Sequence, residues 1–203
     1  RLASPTLGET FLVSGLGLIG LLTAQILKSN GCNVIALDTN SSRCDIAKSL
    51  GIESHLIDNS EDALQWCLSQ TSGLGVDGVL ITAATKSNQP VELAAKACRK
   101  RGRIILIGVT GLDLQRDLFY KKEISFQVSC SYGPGRYDSN YEQKGIDYPL
   151  AFVRWTEKRN FEAILNLMSR GLLNIDKLVS HRFILDDAES AYKLITGSDQ
   201  SLG

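Results

Sequence analysis

The six residues Gly15-Leu16-Gly17-Leu18-Ile19-Gly20 constrain the fold of this chain more than any other stretch. They follow the apolar run Phe11-Leu12-Val13 and open a helical stretch, Leu18 to Asn30, that Gly31 closes. A G-x-G-x-x-G pattern is weak by itself, because glycine-rich turns are common. Between a strand and a helix it specifies the turn of a βαβ unit. Each glycine then has a task. Gly15 permits the tight turn, Gly17 removes a side chain that would block a diphosphate, and Gly20 lets helix and strand pack closely. Free N–H groups at the start of the helix, around Leu18 and Ile19, face the anion.

The next strand, Asn33 to Leu37, leads to Asp38, 18 residues past Gly20. A carboxylate at about this distance binds both hydroxyls of an adenosine ribose and repels a 2′-phosphate, so the expected cofactor is NAD rather than NADP. Arg43 leaves two readings open: it could pair with a 2′-phosphate, or lie over the adenine ribose while Asp38 sets specificity. The persistence of Asp38 favours the second. An empty, degenerate turn on the same fold is the plain structural alternative.

Apolar runs alternate with helical patterns through the first half, which predicts a parallel sheet covered by helices. Helices are expected from Ser41 to Leu50, from Ser60 to about Thr71, and from Ser87 or Asn88 to Gly102. Strands are expected at His55–Ile57, Val76–Thr82, Ile104–Ile107 and Ile124–Val128. The fold class is therefore α/β, a doubly wound parallel sheet of Rossmann type with strand order 3-2-1-4-5-6. The small residues Ala83 and Ala84 after the fourth strand, and Gly108 and Val109 after the fifth, stand where an open sheet presents its crevice. Core packing explains them equally well. Ser131 to Tyr148 reads as a long loop, Thr156 to Arg170 as a helix, His181 to Leu185 as a late strand, and Asp186 or Asp187 as the start of a last helix. The expected division is a dinucleotide-binding core over 1–145 and a helix-strand-helix over 146–203.

Charge excludes several classes of partner. Lys plus Arg balance Asp plus Glu, 22 against 22, so no net field favours nucleic acid or an anionic membrane. The basic stretch Lys96, Arg99, Lys100, Arg101 and Arg103 is expected at a helix C-terminus, where the dipole favours cations. No apolar run is long enough to span a bilayer. The five cysteines lie 12, 23, 31 and 32 residues apart, with no C-x-x-C pair, and His55 and His181 are far from each other. That spacing fits neither a structural zinc site nor a disulfide framework; reduced thiols in a cytoplasmic protein are expected. The only methionine is Met168 and the chain opens at Arg1, which leads to the expectation of a fragment.

Thr6-Leu7-Gly8-Glu9, the Gly15–Gly20 loop, Asp38 with Arg43, and Gly102-Arg103-Ile104-Ile105-Leu106-Ile107-Gly108 together resemble the cofactor domain of zinc-type medium-chain dehydrogenases. His181-Arg182-Phe183 through Asp187-Ala188-Glu189-Ser190-Ala191-Tyr192 resembles that family's return toward its catalytic domain. A narrower likeness, to bacterial bi-domain oxidoreductases that accompany surface-polysaccharide synthesis, rests on Ser131 to Tyr137, Tyr148-Pro149 and Arg154 to Asn160. The resemblance implies NAD(H), an alcohol or sugar substrate, a possible homodimer, and zinc only in an N-terminal catalytic domain that this chain lacks. It therefore implies no catalytic residue and no metal ligand here, and an inactive isolated chain.

Two other enzyme classes fit poorly. A short-chain dehydrogenase carries Tyr-x-x-x-Lys, and none of the six tyrosines has a lysine four residues on. A methyltransferase turn usually reads G-x-G-x-G, whereas residue 19 is Ile. A non-catalytic NAD-sensing module stays open as the alternative to an enzyme.

Overall fold

A computed structural model describes residues 1–197, 201 and 202; positions 198–200 and 203, at the end of the expected 146–203 span, lie outside the described residues. Strands β1 (Thr10–Ser14), β2 (Asn33–Asp38), β3 (Glu53–Leu56), β4 (Val76–Ile81), β5 (Cys98–Leu106) and β6 (Ser125–Val128) form one sheet, ordered β3-β2-β1-β4-β5-β6. Every pairing is parallel, with Phe11 beside Val34 and Gly78, and Ile104 beside Val79 and Phe126. The order reverses between β1 and β4, so the strand C-termini open a crevice there.

Helices α1 (Leu18–Ser29), α2 (Ser41–Ser49), α3 (Ser60–Ser69), α4 (Gln89–Ala97) and α5 (Arg116–Tyr120) follow the strands. Successive strand residues face opposite sides, so the sheet is apolar on both faces. Leu12, Leu37, Val79, Ile81 and Ile104 join α3 and α4 in one core. Phe11, Val13, Ala36, Leu80 and Ile105 join α1 and α2 in the other. The caps are asparagines one residue earlier than the serines read from sequence. Asn40 accepts from the Arg43 N–H and Asn59 from the Asp62 N–H, which satisfies donors that the helices leave free.

Beyond β6 come α6 (Ser139–Glu142), α7 (Glu157–Ser169), two short 3₁₀ turns at Asp176–Leu178 and Leu185–Asp187, and α8 (Ala188–Thr196). The Ser131–Tyr148 stretch is a loop apart from the single turn of α6. Among the described residues, no helix is long and apolar enough to cross a membrane. Cys32, Cys44, Cys67 and Cys98 are buried free thiols, and Cys130 is an exposed one. Burial pushes the Cys67 and Cys98 thiols up to about 12.

The structure departs from the sequence reading at three places. The helix placed as far as Gly102 ends at Ala97, and β5 begins at Cys98 with a bulge, because Val76 pairs Cys98 while Gly78 pairs Arg103. Lys122 Nζ donates to the carbonyls of Ala95, Lys96 and Cys98, which closes α4 early. The basic stretch is consequently an array of ion pairs along β5: Arg99 with Asp77, Arg101 with Glu123, Arg103 with Glu9. Second, His181–Leu185 forms no strand. A strand's backbone groups need a neighbouring strand, and among the described residues no ladder reaches this segment. Third, α5 carries no long apolar period, and sequence reading passed over it.

Candidate functional site

At the reversal between β1 and β4, a crevice of about 630 Å³ opens over the strand C-termini. Its lining includes Gly15 and Gly17 from the β1–α1 turn, Asp38 at the end of β2, and Thr39 and Arg43 beyond it. Thr82 to Thr85 after β4, with Ser87 and Gln89 at the start of α4, complete the opposite side. A volume of this order suits a ligand of cofactor size.

The turn is built by contacts rather than by flexibility. Gly15 has φ +101°, and a Cβ there would stand 2.7 Å from the Ala83 nitrogen. Only glycine meets both demands. A Cβ on Gly20 would fall 1.9 Å from the Gly15 carbonyl oxygen, so the bare third glycine makes room for the turn itself. Gly17 differs. Its Cβ would meet nothing within 4 Å, and the residue faces the crevice. The missing side chain at Gly17 therefore leaves open space above the start of α1. No side chain caps α1, and the first N–H groups of a helix have no acceptor within it. Uncapped donors under an open, side-chain-free position are an arrangement that can accept an anion.

Asp38 is 5% exposed and its carboxylate is well supplied with donors. Oδ2 accepts from the Leu16 N–H at 2.5 Å and Oδ1 from the Asn40 N–H at 2.8 Å. Arg43 Nη1 stands 3.9 Å from Oδ2, with the arginine side chain 40% exposed. The acid thus ties the glycine turn to β2 while lying on the crevice wall, and the base beside it stays accessible.

Of the twelve residues singled out in the sequence, Gly15, Gly17, Asp38, Arg43, Ala83 and Ala84 are brought together on the lining. The others are placed otherwise. Leu16 is fully buried, and its N–H is taken by Asp38. Gly20 packs under the turn. Leu18 and Ile19 expose their side chains, 37% and 53%, on the first turn of α1. Gly108 serves close backbone approach, since a Cβ would meet the Ala83 carbonyl oxygen at 2.1 Å. Val109 continues the β4–β5 pairing opposite Ala84 with its side chain 72% exposed. Sequence reading missed Thr39 and Gln89, and it named Thr82 and Ser87 only as a strand end and a helix cap. They come from strand ends and a helix start far apart in the chain, and no local pattern joins them. Among the described residues, no group of three or more His, Cys, Asp or Glu is arranged to hold a metal ion.

This fold and crevice define an α/β dinucleotide-binding architecture. A family model for zinc-binding dehydrogenases matches residues 19–145, and the chain belongs to that family. Sorbitol dehydrogenase from Halalkalibacterium halodurans is 30% identical over 199 residues, covering 95% of this chain and 50% of the relative. D-arabitol-phosphate dehydrogenase from Enterococcus avium is 26% identical, covering 95% and 49%. Among solved structures, an alcohol dehydrogenase from E. coli CFT073 complexed with NADH superposes with TM-score 0.74 at 22% identity, covering 99% of this chain and 52% of that one. The 2R,3R-butanediol dehydrogenase from Bacillus subtilis superposes with TM-score 0.73 at 23% identity, covering 98% and 50%. The chain spans about half the length of these relatives.

Proposed function

We propose that this chain binds NAD(H) in the crevice over the Gly15–Gly20 turn, as the cofactor-holding part of an NAD-dependent alcohol dehydrogenase. The observation that carries the reading is the open position at Gly17 above the uncapped start of α1, with Asp38 and Arg43 on the same lining. The diphosphate would lie on the α1 donors, and the adenosine ribose would meet Asp38. Ala83, Ala84 and the start of α4 would hold the remainder of the dinucleotide. When bound, NAD supplies hydride acceptance and donation at its nicotinamide ring. The residues of this chain bind and orient it, and none is assigned to proton transfer.

Among the described residues no set of side chains fits zinc, so no step is routed through it. We place the zinc, the substrate contacts and the catalytic groups in a further domain of the complete enzyme. The apolar stripes of α7 and α8 would pack against that domain. Sugar alcohols are the first substrates to try, because named relatives are dehydrogenases of sorbitol and D-arabitol phosphate. A cytoplasmic location fits the free thiols, and the family resemblance adds a homodimer to the proposal.

Calorimetric titration of the 203-residue chain with NAD and NADP is the test. One NAD site, tighter than NADP by tenfold or more, is expected from the carboxylate facing the 2′ position. Alcohol-dependent NADH formation by this chain alone is expected to be absent. Failure to bind NAD, or preference for NADP, overturns the cofactor reading; turnover overturns the division of labour.

A further inference from the structure

The peptide joining Gly15 to Leu16 is held at both of its polar ends by side chains from different strands. Its carbonyl oxygen accepts from Thr82 Oγ1 at 2.6 Å, and its N–H donates to Asp38 Oδ2 at 2.5 Å. Asp38 ends β2 and Thr82 follows β4, the two strands that flank β1. Neighbouring bonds add to the grip: the Gly15 N–H donates to the Leu37 carbonyl, and the Thr82 and Ala83 N–H groups share the Ser14 carbonyl.

We infer that Thr82 is a positioning residue for the diphosphate cradle, locking the Gly15–Leu16 peptide so that Gly17 and the α1 donors keep a fixed aim. The inference rests on the NAD-binding reading above. A peptide is planar, so fixing its C=O and its N–H fixes the whole unit. The two torsions beside it then have little freedom, and the next residue is Gly17. Preorganised donors bind an anion without first having to be ordered. A threonine hydroxyl near a strand end often bonds its own local backbone. Thr82 instead reaches acceptors 67 and 68 residues away, Gly15 and Ser14. Gly20 belongs to the same device, because a Cβ there would crowd both the Gly15 carbonyl oxygen and Thr82 Oγ1, at 1.9 and 2.9 Å.

The test compares wild type with Thr82→Val and Thr82→Ser, titrated with ADP and with adenosine and followed by NMR. ADP probes the cradle; adenosine reaches the ribose and adenine side alone. Thr82→Val is expected to weaken ADP by about three- to tenfold, the worth of one neutral hydrogen bond. Adenosine affinity stays unchanged, Thr82→Ser restores the ADP value, and the Leu16 amide exchanges faster in the valine variant. Should valine not be tolerated, Thr82→Ala against Thr82→Ser isolates the hydroxyl, since both lack the methyl. Equal ADP affinity with and without the hydroxyl, or an equal loss for adenosine, overturns the inference while NAD binding stands. Wild type that binds neither NAD nor ADP overturns both readings.

Discussion

Residues 10–128 and residues 129–197 are made of the same kind of amphipathic segment, yet they hold together by different means. In the first region every strand from β1 to β5 and every helix from α1 to α4 buries part of its surface, and the largest buried side chains include Phe11, Leu12, Leu37, Ile81 and Ile104. In the second, α7 and α8 bury no residue. Phe161, Leu165, Tyr192 and Ile195 are all more than half exposed. Leu173 and Leu178 are its buried apolar anchors, Leu178 in the core with Phe11 and Leu21, and much of the rest is organised by polar contacts. Tyr132 and Arg136 converge on Glu142, Tyr148 donates to Asp138, and Arg159 pairs with Asp147. The Gln25 amide exchanges two hydrogen bonds with the backbone of Asn174, tying the loop after α7 to α1. Polar ties near the surface are individually worth little, whereas area removed from water accumulates. The crevice stands entirely on the first region, so its geometry draws on the rigid part of the chain.

The sharpest way to break this contrast is a pair of matched truncations. Phe11 is completely buried, against Gly78 and beneath the Arg103 guanidinium. Phe11→Ala is expected to cost about 3–5 kcal/mol through lost burial and a cavity. Phe161 is 63% exposed, and Phe161→Ala should stay within about 0.5 kcal/mol of wild type. Denaturant unfolding of the two variants measures both. Similar losses would show that α7 contributes to the core as fully as β1 does.

The same contrast explains what could be read from sequence. Strands and glycine turn were legible because each is a local pattern: three apolar residues, then glycines at fixed spacing, then a helical period. The late strand was misread at His181–Leu185 because the short apolar run Phe183-Ile184-Leu185 meets no ladder among the described residues. The end of α4 was misread because the decision lies with Lys122, more than twenty residues away, and with the ion pair of Arg99 and Asp77. For the site, Asp38 was legible from its spacing. Its bond to Leu16 and the hydroxyl of Thr82 on Gly15 were not, since both arise only when neighbouring strands align.

A second prediction concerns a partly buried ion pair of the first region. Arg103 donates to both carboxylate oxygens of Glu9 and to the Ala3 carbonyl, and both charged side chains are about one-fifth exposed, 21% and 17%. The hydrogen bonds from Arg103, with smaller help from the Thr6 N–H, hold the Glu9 carboxyl below its ordinary range. A carboxyl lowered in the folded state stabilises the fold above its unfolded value. That contribution disappears as pH falls through the folded value. Glu9→Gln should therefore cost about 2 kcal/mol near neutral pH and flatten the acid limb of the stability curve below pH about 4. The exposed pair Glu189–Lys193, with both side chains at least 74% exposed, should give no comparable change when Glu189 is replaced by Gln. An unchanged acid limb in Glu9→Gln would remove the clasp from the account of what steadies β1 and β5.

The smallest expected effect runs against the usual rule for helix starts. Thr156 precedes α7 in the N-cap position, and a threonine there normally donates about 1 kcal/mol of stability by accepting an N–H bond. Here the side chain makes no capping bond. The residue is fully buried, and its hydroxyl has no hydrogen-bond partner among the described residues. An unpaired buried hydroxyl carries a desolvation cost with no return. Thr156→Val keeps the shape and removes that cost, so it should be neutral or stabilising by up to about 1 kcal/mol in denaturant unfolding. A loss of that size would mean that the hydroxyl caps α7 in solution, and that the second region owes more of its order to this helix start than to its polar ties.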